Sequence, residues 1–195
     1  MSIALFAITN SKFTGNETEK DWDEILEKLE SLNLEKTLRV VDGGYIRHTV
    51  DWWYSINDDP KFSSLVDFNG PYQFNPIIYS NIGVIFTILN YSILYHAQHL
   101  NSFNEFRAHL YDVVQILGGT EVIFLADYRC DKLGHFLDDM AGENVPYEEI
   151  KEKMMLVFGN PVTDYSKLDF EKLDFGNITE FILDDFSDLK SIVGK

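Results

Sequence analysis

Cysteine is almost absent from this chain. Cys130 is the only one among 195 residues, so no disulfide can form within the chain. A single cysteine is typical of proteins from a reducing compartment, and we predict a cytoplasmic location. The first residues, Met1 to Phe6, carry none of the basic residues that open a secretory signal peptide.

Positive charge is scarce. The chain has 16 Lys and Arg against 32 Asp and Glu, which gives a net charge of −16 and a pI near 4.5. Because phosphate groups repel such a surface, we predict that no nucleic acid is bound. The same charge attracts a basic protein from a distance. The alternative is that the acidity serves solubility alone.

The sequence lacks the common short motifs of proteins that bind cofactors or metals. The sequence contains no Walker motif, no G-x-S-x-G, no G-x-G-x-x-G and no cysteine pair for zinc. The paired acids Asp138-Asp139 and Asp184-Asp185 lack the frame of an EF-hand. We therefore predict no cofactor and no metal, and we interpret the paired acids as solvent-exposed.

The prediction of the fold depends mainly on a long central stretch without charged residues. No Asp, Glu, Lys or Arg occurs between Asp67 and Glu105, and apolar residues recur there at helical spacing. This pattern predicts a buried helix from Ser80 to about His99. With a second helix that Gly118-Gly119 ends, it would form a helical hairpin. Thr87, Asn90 and other polar residues argue against a membrane span.

Such a hairpin would bring histidines and carboxylates together. His96 and His99 lie on the first helix, and Glu105, His109 and Asp112 lie on the second. Helical bundles hold metals with these ligands. The spacing lacks the Glu-x-x-His pattern of such sites, so structural histidines are the preferred interpretation.

The remaining pattern predicts one α+β domain over residues 1–195. Its mixed sheet of about four strands would be packed by helices, including the buried hairpin, and the second choice is an α/β layered fold. The predicted strands are Ser2–Thr9, Leu38–Val41, Tyr45–Trp52 after an Asp42-Gly43-Gly44 turn, and Thr120–Ala126. The other predicted helices are Thr18–Asn33, Lys132–Met140, Tyr147–Phe158 and Ile178–Phe186, and Ile56–Tyr79 is predicted to be irregular.

The first of these helices has the clearest local signals. Thr18 and Asp21 have the spacing of a capping box at its start. Its apolar residues form one stripe, which consists of Trp22, Ile25, Leu26, Leu29 and Leu32.

One candidate site follows the predicted strand that ends at Ala126. It contains Asp127, Arg129, Cys130 and His135. Open α/β sheets bind ligands beyond the carboxyl ends of their strands, and a cysteine beside a histidine can act as a nucleophile with its base. The alternative is a half-buried structural cysteine and a surface histidine.

A second candidate site is a cluster of aromatic residues. Trp52, Trp53 and Tyr54 are consecutive, and Asp51, Asp58 and Asp59 lie close by in the sequence. If the run is a strand, its side chains alternate between two faces, so the two tryptophans cannot both enter one core. An exposed tryptophan is a common anchor in protein interfaces. The alternative is that both tryptophans are buried, either on the two faces of a sheet or in a helix that starts near Thr49.

Two functions are compatible with these features. The first is a non-catalytic acidic binding protein, of the inhibitor or immunity type, that contacts a basic partner through the aromatic cluster. The second is a small enzyme that uses Asp127, Arg129, Cys130 and His135.

Overall fold

The architecture is that of an antiparallel sheet with helices on both faces. The computed structural model describes residues 4–32, 34, 51–57, 64–71, 74–96, 101–126, 145–169, 171 and 181–193. Within this part, seven strands form one sheet in the order β2-β3-β4-β5-β1-β6-β7, and every neighbouring pair is antiparallel. The strands are β1 (Ala4–Asn10), β2 (Trp53–Ile56), β3 (Ser64–Asn69), β4 (Asn75–Tyr79), β5 (Ile82–Asn90), β6 (Val122–Ala126) and β7 (Ile182–Asp184).

Four α-helices accompany the sheet in the described part. They are α1 (Glu19–Ser31), α2 (Asn101–Ile116), α3 (Tyr147–Phe158) and α4 (Ser187–Val193), with short 3-10 helices at Tyr91–His96 and Tyr165–Lys167. None of the helices in the described residues is long and apolar enough to cross a membrane.

The sheet buries apolar side chains on both faces. On the first face, Leu5 and Phe68 share a core with residues of α1 and α2. On the second face, Ile8 and Ile123 pack against α3. Because successive strand residues point to opposite faces, β1 supplies both cores, with Leu5 and Ala7 on one side and Ile8 on the other.

Helix α1 confirms a local prediction. The Thr18 N–H and hydroxyl both donate to the Asp21 carboxylate, at 2.7 Å each, where the capping box was expected. Its apolar stripe is buried through Trp22, Ile25 and Leu29. The helices expected at Tyr147–Phe158 and before Gly118-Gly119 are present as well.

The predicted helix from Ser80 to His99 is wrong. Residues Ile82–Asn90 form β5, and a 3-10 helix follows to His96, so the described part of this stretch does not contain the first helix of the predicted hairpin. The stretch is rich in Ile, Val, Phe and Thr, which suit a strand. It is largely apolar because residues on both of its faces are buried: Ile85 lies in the first core, and Ile82 and Val84 lie in the second, whereas Phe86 is 42% exposed.

The segment predicted to be irregular also contains regular structure. Strands β3 and β4 lie within Ile56–Tyr79 and pair as neighbours. Val66, Phe68 and Ile78 point into the first core. The polar residues that suggested a loop, such as Asp67 and Asn69, occupy the alternate positions on the other face, so a half-buried strand was mistaken for a loop.

The fold class is α+β as predicted, but seven strands replace about four. The α/β alternative does not fit, because its strands would run parallel. The strand at Thr120–Ala126 is present as β6, whereas the predicted helix at Ile178–Phe186 contains β7 instead. The predictions for Leu38–Val41, Asp42-Gly43-Gly44 and Lys132–Met140, and most of that for Tyr45–Trp52, lie outside the described residues.

The junction between α2 and β6 is a Schellman turn. Gly119 N–H donates to the carbonyl of Val114 at 2.8 Å, and Gly118 N–H donates to that of Gln115 at 3.0 Å. Gly118 has a φ of +79°, which favours glycine. A Cβ on Gly119 would lie 2.6 Å from the carbonyl oxygen of Asn10 at the end of β1.

We expect Gly119→Ala to destabilise the protein by about 1–3 kcal/mol, because the added methyl group overlaps backbone that cannot move away from β1. Denaturant unfolding measures the loss. Gly83→Ala is the control, since its Cβ would meet mainly a Thr9 methyl group at 3.2 Å. A loss for Gly119→Ala no larger than that for Gly83→Ala would contradict the argument.

Candidate functional site

The aromatic cluster lies at an outer strand of the sheet. Trp52 packs edge-on against Phe74 with ring centroids 6.4 Å apart, and Trp53 is 48% exposed. The two tryptophans therefore have different environments, as their consecutive positions required. Asp51 is exposed beside them, whereas Asp58 and Asp59 lie outside the described residues.

Tyr54 joins this strand to α1. Its ring packs against Phe68 at 5.6 Å, and its hydroxyl donates to Asp23 Oδ1 at 2.7 Å. This hydrogen bond, followed by burial and the negative charge of Asp23, raises the pKa of Tyr54 to about 12. The contact holds the first turns of α1 against the outer strand.

Helix α1 presents acids next to Tyr54. Glu19, Asp23, Glu27 and Glu30 are all exposed, and their spacing places them along one side of the helix. We call these four residues the acidic row. Together with Trp53, Tyr54 and Ile56 they form what we call the β2 edge surface, in which Ile56 is 37% exposed. The surface thus combines exposed apolar side chains with carboxylates.

The other candidate site lies outside the described residues. Strand β6 ends at Ala126, and Asp127, Arg129, Cys130 and His135 all belong to the stretch that follows. The argument for this site came from parallel sheets, whose strand ends meet at one edge. This sheet is antiparallel, so that argument no longer supports the site, which stays a prediction.

The possible metal ligands do not lie on two facing α-helices in the described residues. Glu105, His109 and Asp112 belong to α2, but the 3-10 helix that ends at His96 replaces the facing helix, and His99 is not described. Among the described residues, no group of three or more His, Cys, Asp or Glu could hold a metal ion. His109 Nδ1 is buried without a hydrogen-bond partner.

A groove that was not among the predicted sites lies at the opposite end of the sheet. Its volume is about 570 Å³, within the range of small-molecule sites. It lies where α2, β7 and α4 meet, and we call it the Arg107 groove. Its lining residues are Arg107, Glu121, Thr163, Asp164, Tyr165, Leu183, Asp184, Asp185, Ser187 and Asp188.

Arg107 is held by two carboxylates at once. Its Nε and Nη2 donate to Asp184, and its Nη1 and Nη2 donate to Asp188 at 2.7 Å each. Asp184 also accepts from the Tyr165 hydroxyl at 2.7 Å and from the Phe186 N–H at 2.9 Å. The guanidinium carbon lies 5.5 Å and 5.6 Å from the ring centroids of Tyr165 and Phe186.

The cation of this groove is paired with two of its carboxylates. Burial lowers the pKa of Arg107, but the hydrogen bonds to Asp184 and Asp188 outweigh burial and raise it above its usual range. The bond to Arg107 lowers the pKa of Asp188. Burial, together with the nearby Asp184, raises the pKa of Tyr165. We interpret the cluster as a structural junction, because its cation is already bound by carboxylates of the chain itself.

Asp184 corrects the prediction for the paired acids. Asp184 is 4% exposed rather than solvated, while Asp185 is exposed as expected. A signal did exist on α2, since Arg107 shares the apolar stripe of Phe103, Leu110 and Val114 at helical spacing. A lone arginine on such a stripe requires a buried partner. The sequence did not show which carboxylate would supply it.

A comparison of the chain with protein-family models, with curated proteins and with solved structures found no match in any of the three. The candidate sites therefore rest on their own geometry.

We expect Arg107→Met to destabilise the protein by about 3–5 kcal/mol, because it leaves the buried Asp184 carboxylate without its cation. Denaturant unfolding tests this. Asp188→Asn is the comparison, since the Asp188 side chain is 63% exposed and its loss should cost about 1 kcal/mol. Combining Arg107→Met with Asp184→Leu should recover part of the stability. Equal stability of Arg107→Met and the wild type would refute the role of the junction.

We expect Asp23→Asn to lower the pKa of Tyr54 from about 12 towards its ordinary value of 10.0. Because the folded-state pKa is raised, the stabilisation is complete below pH 10 and disappears as the pH rises through about 12. NMR titration of isotope-labelled tyrosine rings measures this, with Tyr54→Phe to assign the resonance. A Tyr54 that titrates near 10 in both proteins would remove the evidence for the bond.

Proposed function

We propose that the protein is a non-catalytic acidic binding protein that docks onto a basic protein, as an inhibitor or an immunity protein does. The β2 edge surface is its contact site. The observation that carries the proposal is the exposure of Trp53 on an outer strand whose next residue, Tyr54, contacts the acidic row of α1. Exposed tryptophans are costly to leave in water and are favoured as interface anchors.

The chemistry of the surface defines the partner. The carboxylates of the acidic row accept hydrogen bonds from Lys or Arg side chains, and the Trp53 ring can stack on a guanidinium group. The net charge of −16 adds attraction at long range and speeds association. Tyr54 needs little rearrangement on binding, because Asp23 already holds its hydroxyl.

The Arg107 groove is a weaker candidate for this contact. Arg107 and Asp184 satisfy each other, and Asp164 and Asp185 accept from the backbone N–H groups of Ser166 and Ser187. The alternative function, an enzyme with Asp127, Arg129, Cys130 and His135, stays a prediction.

Affinity capture of the partner tests the proposal. Wild-type protein and variants are incubated with lysate from the native source at low salt and at about 0.5 M salt, where screening shortens electrostatic attraction to a few ångströms. We expect a basic protein that is captured only at low salt. With that protein purified, calorimetry should show that Trp53→Ser weakens binding at least about thirtyfold, as loss of a hot-spot residue does.

Matched variants on another surface are the controls. Leu156 is 86% exposed on α3, so Leu156→Ser changes an exposed apolar side chain away from the β2 edge surface. Glu27→Gln with Glu30→Gln should slow association, whereas Glu149→Gln with Glu152→Gln on α3 should change it less. Equal effects of the Trp53 and Leu156 variants, or capture that salt does not affect, would reject the proposed function.

A further inference from the structure

Strand β2 has an outer edge that no described strand covers. It pairs only with β3, in the register Trp53↔Asn69 to Ile56↔Val66. The Asn57 N–H continues this register and donates to Leu65 at 3.2 Å. Antiparallel strands alternate between residues that bond inward and residues that bond outward. The backbone groups of Tyr54 and Ile56 therefore point away from β3.

This edge lacks the features that usually protect one. Natural edges carry Lys, Pro, bulges or inward-pointing charges that block a further strand. The sequence of β2 is Trp-Tyr-Ser-Ile, without charge or proline, and its pairing with β3 is regular. Trp53, Ser55 and Ile56 are exposed. Among the residues that the structure describes, nothing therefore blocks an added strand at this edge.

The negative charge of the acidic row determines which kind of strand can pair with β2. In a pair of identical chains joined at β2, the acidic rows would approach each other, and like charges disfavour that contact. An extended segment with basic side chains instead places its cations beside Glu19 and Asp23. These two residues already meet the strand at Tyr54, where the Asp23 carboxylate accepts at 2.7 Å and the Glu19 carbonyl at 3.5 Å.

The two faces of β2 set the pattern of that segment. Tyr54 and Ile56 lie on the face that α1 covers, and Trp53 and Ser55 lie on the other. The side chains of an added strand alternate in the same way. Basic residues on the α1 face would reach the acidic row, and apolar residues on the other face would contact Trp53.

We propose that β2 accepts an extended segment of the partner, with alternating basic and apolar residues, as an eighth, antiparallel strand. This inference rests on the proposed function and adds its mode of recognition. The main chain of Tyr54 and Ile56 supplies affinity, and the acidic row and Trp53 supply specificity. Antiparallel pairing continues the arrangement of all seven strands.

Hydrogen exchange on the intact protein tests the pairing directly. The probe is a short peptide of alternating Lys and Val, and its control has the same composition with the Lys residues grouped together. When the alternating peptide binds, we expect the amide exchange of Tyr54 and Ile56 to slow at least about tenfold. Bound peptide that leaves both amides unprotected would overturn strand addition.

Methylation of the peptide backbone separates pairing from charge. In an antiparallel addition the N–H groups of the Lys residues face β2, so N-methylation at Lys should weaken binding at least about tenfold, whereas N-methylation at Val should be tolerated. Ile56→Pro should have the effect of methylation at Lys, because it removes an outward donor, and Ile56→Ala should retain most binding.

The outcomes distinguish the two proposals. If the grouped, alternating and methylated peptides all bind equally and salt weakens them all, attraction by charge survives and strand addition is overturned. A loss confined to methylation at Val would also overturn the antiparallel arrangement. If no peptide binds at low salt, strand addition fails, and the capture experiment with Trp53→Ser decides separately on the proposed function.

Discussion

The contact between Arg107 and Asp184 holds together parts of the chain that are distant in sequence. Arg107 lies on α2, Asp184 ends β7, and Asp188 lies on α4, so one guanidinium joins three elements. Strand β7 has only three residues and pairs with β6 along one side. A buried ion pair is weak evidence of added stability, but it fixes which groups can meet. Here it fixes the position of the last strand and of the helix that follows.

Local sequence patterns predicted the elements whose signals are complete within a few residues. The capping residues Thr18 and Asp21, the stripe of Trp22, Ile25 and Leu29, and the glycines at 118 and 119 each indicated a helix boundary or face that the structure contains. Strand β5 was missed for a physical reason. A segment with apolar residues on both faces loses its alternation, so Ile82 to Asn90 carried no pattern that separates a strand from a buried helix.

The candidate site was also predictable only in part from the sequence. Alternation along a strand indicated that Trp52 and Trp53 would have different environments, but only the sheet order places them at an outer strand. The approach of α1 to Tyr54 depends on how the helix packs on the first core, and no local rule encodes the contact between Asp23 and Tyr54. Net charge led to the prediction of a basic partner, whereas the position of the acidic row beside Tyr54 depends on tertiary structure.

The central position of β1 has a consequence for biosynthesis. This first strand lies between β5 and β6, and its partners include Gly83 and Phe124. Residues up to Ala126 must therefore leave the ribosome before both edges of β1 are paired. Such non-local pairing slows folding, because the entropy cost of closing a long loop comes before the contacts that stabilise it. Until then at least one edge of the apolar strand from Ala4 to Asn10 is unpaired, and an unpaired apolar strand favours aggregation during folding.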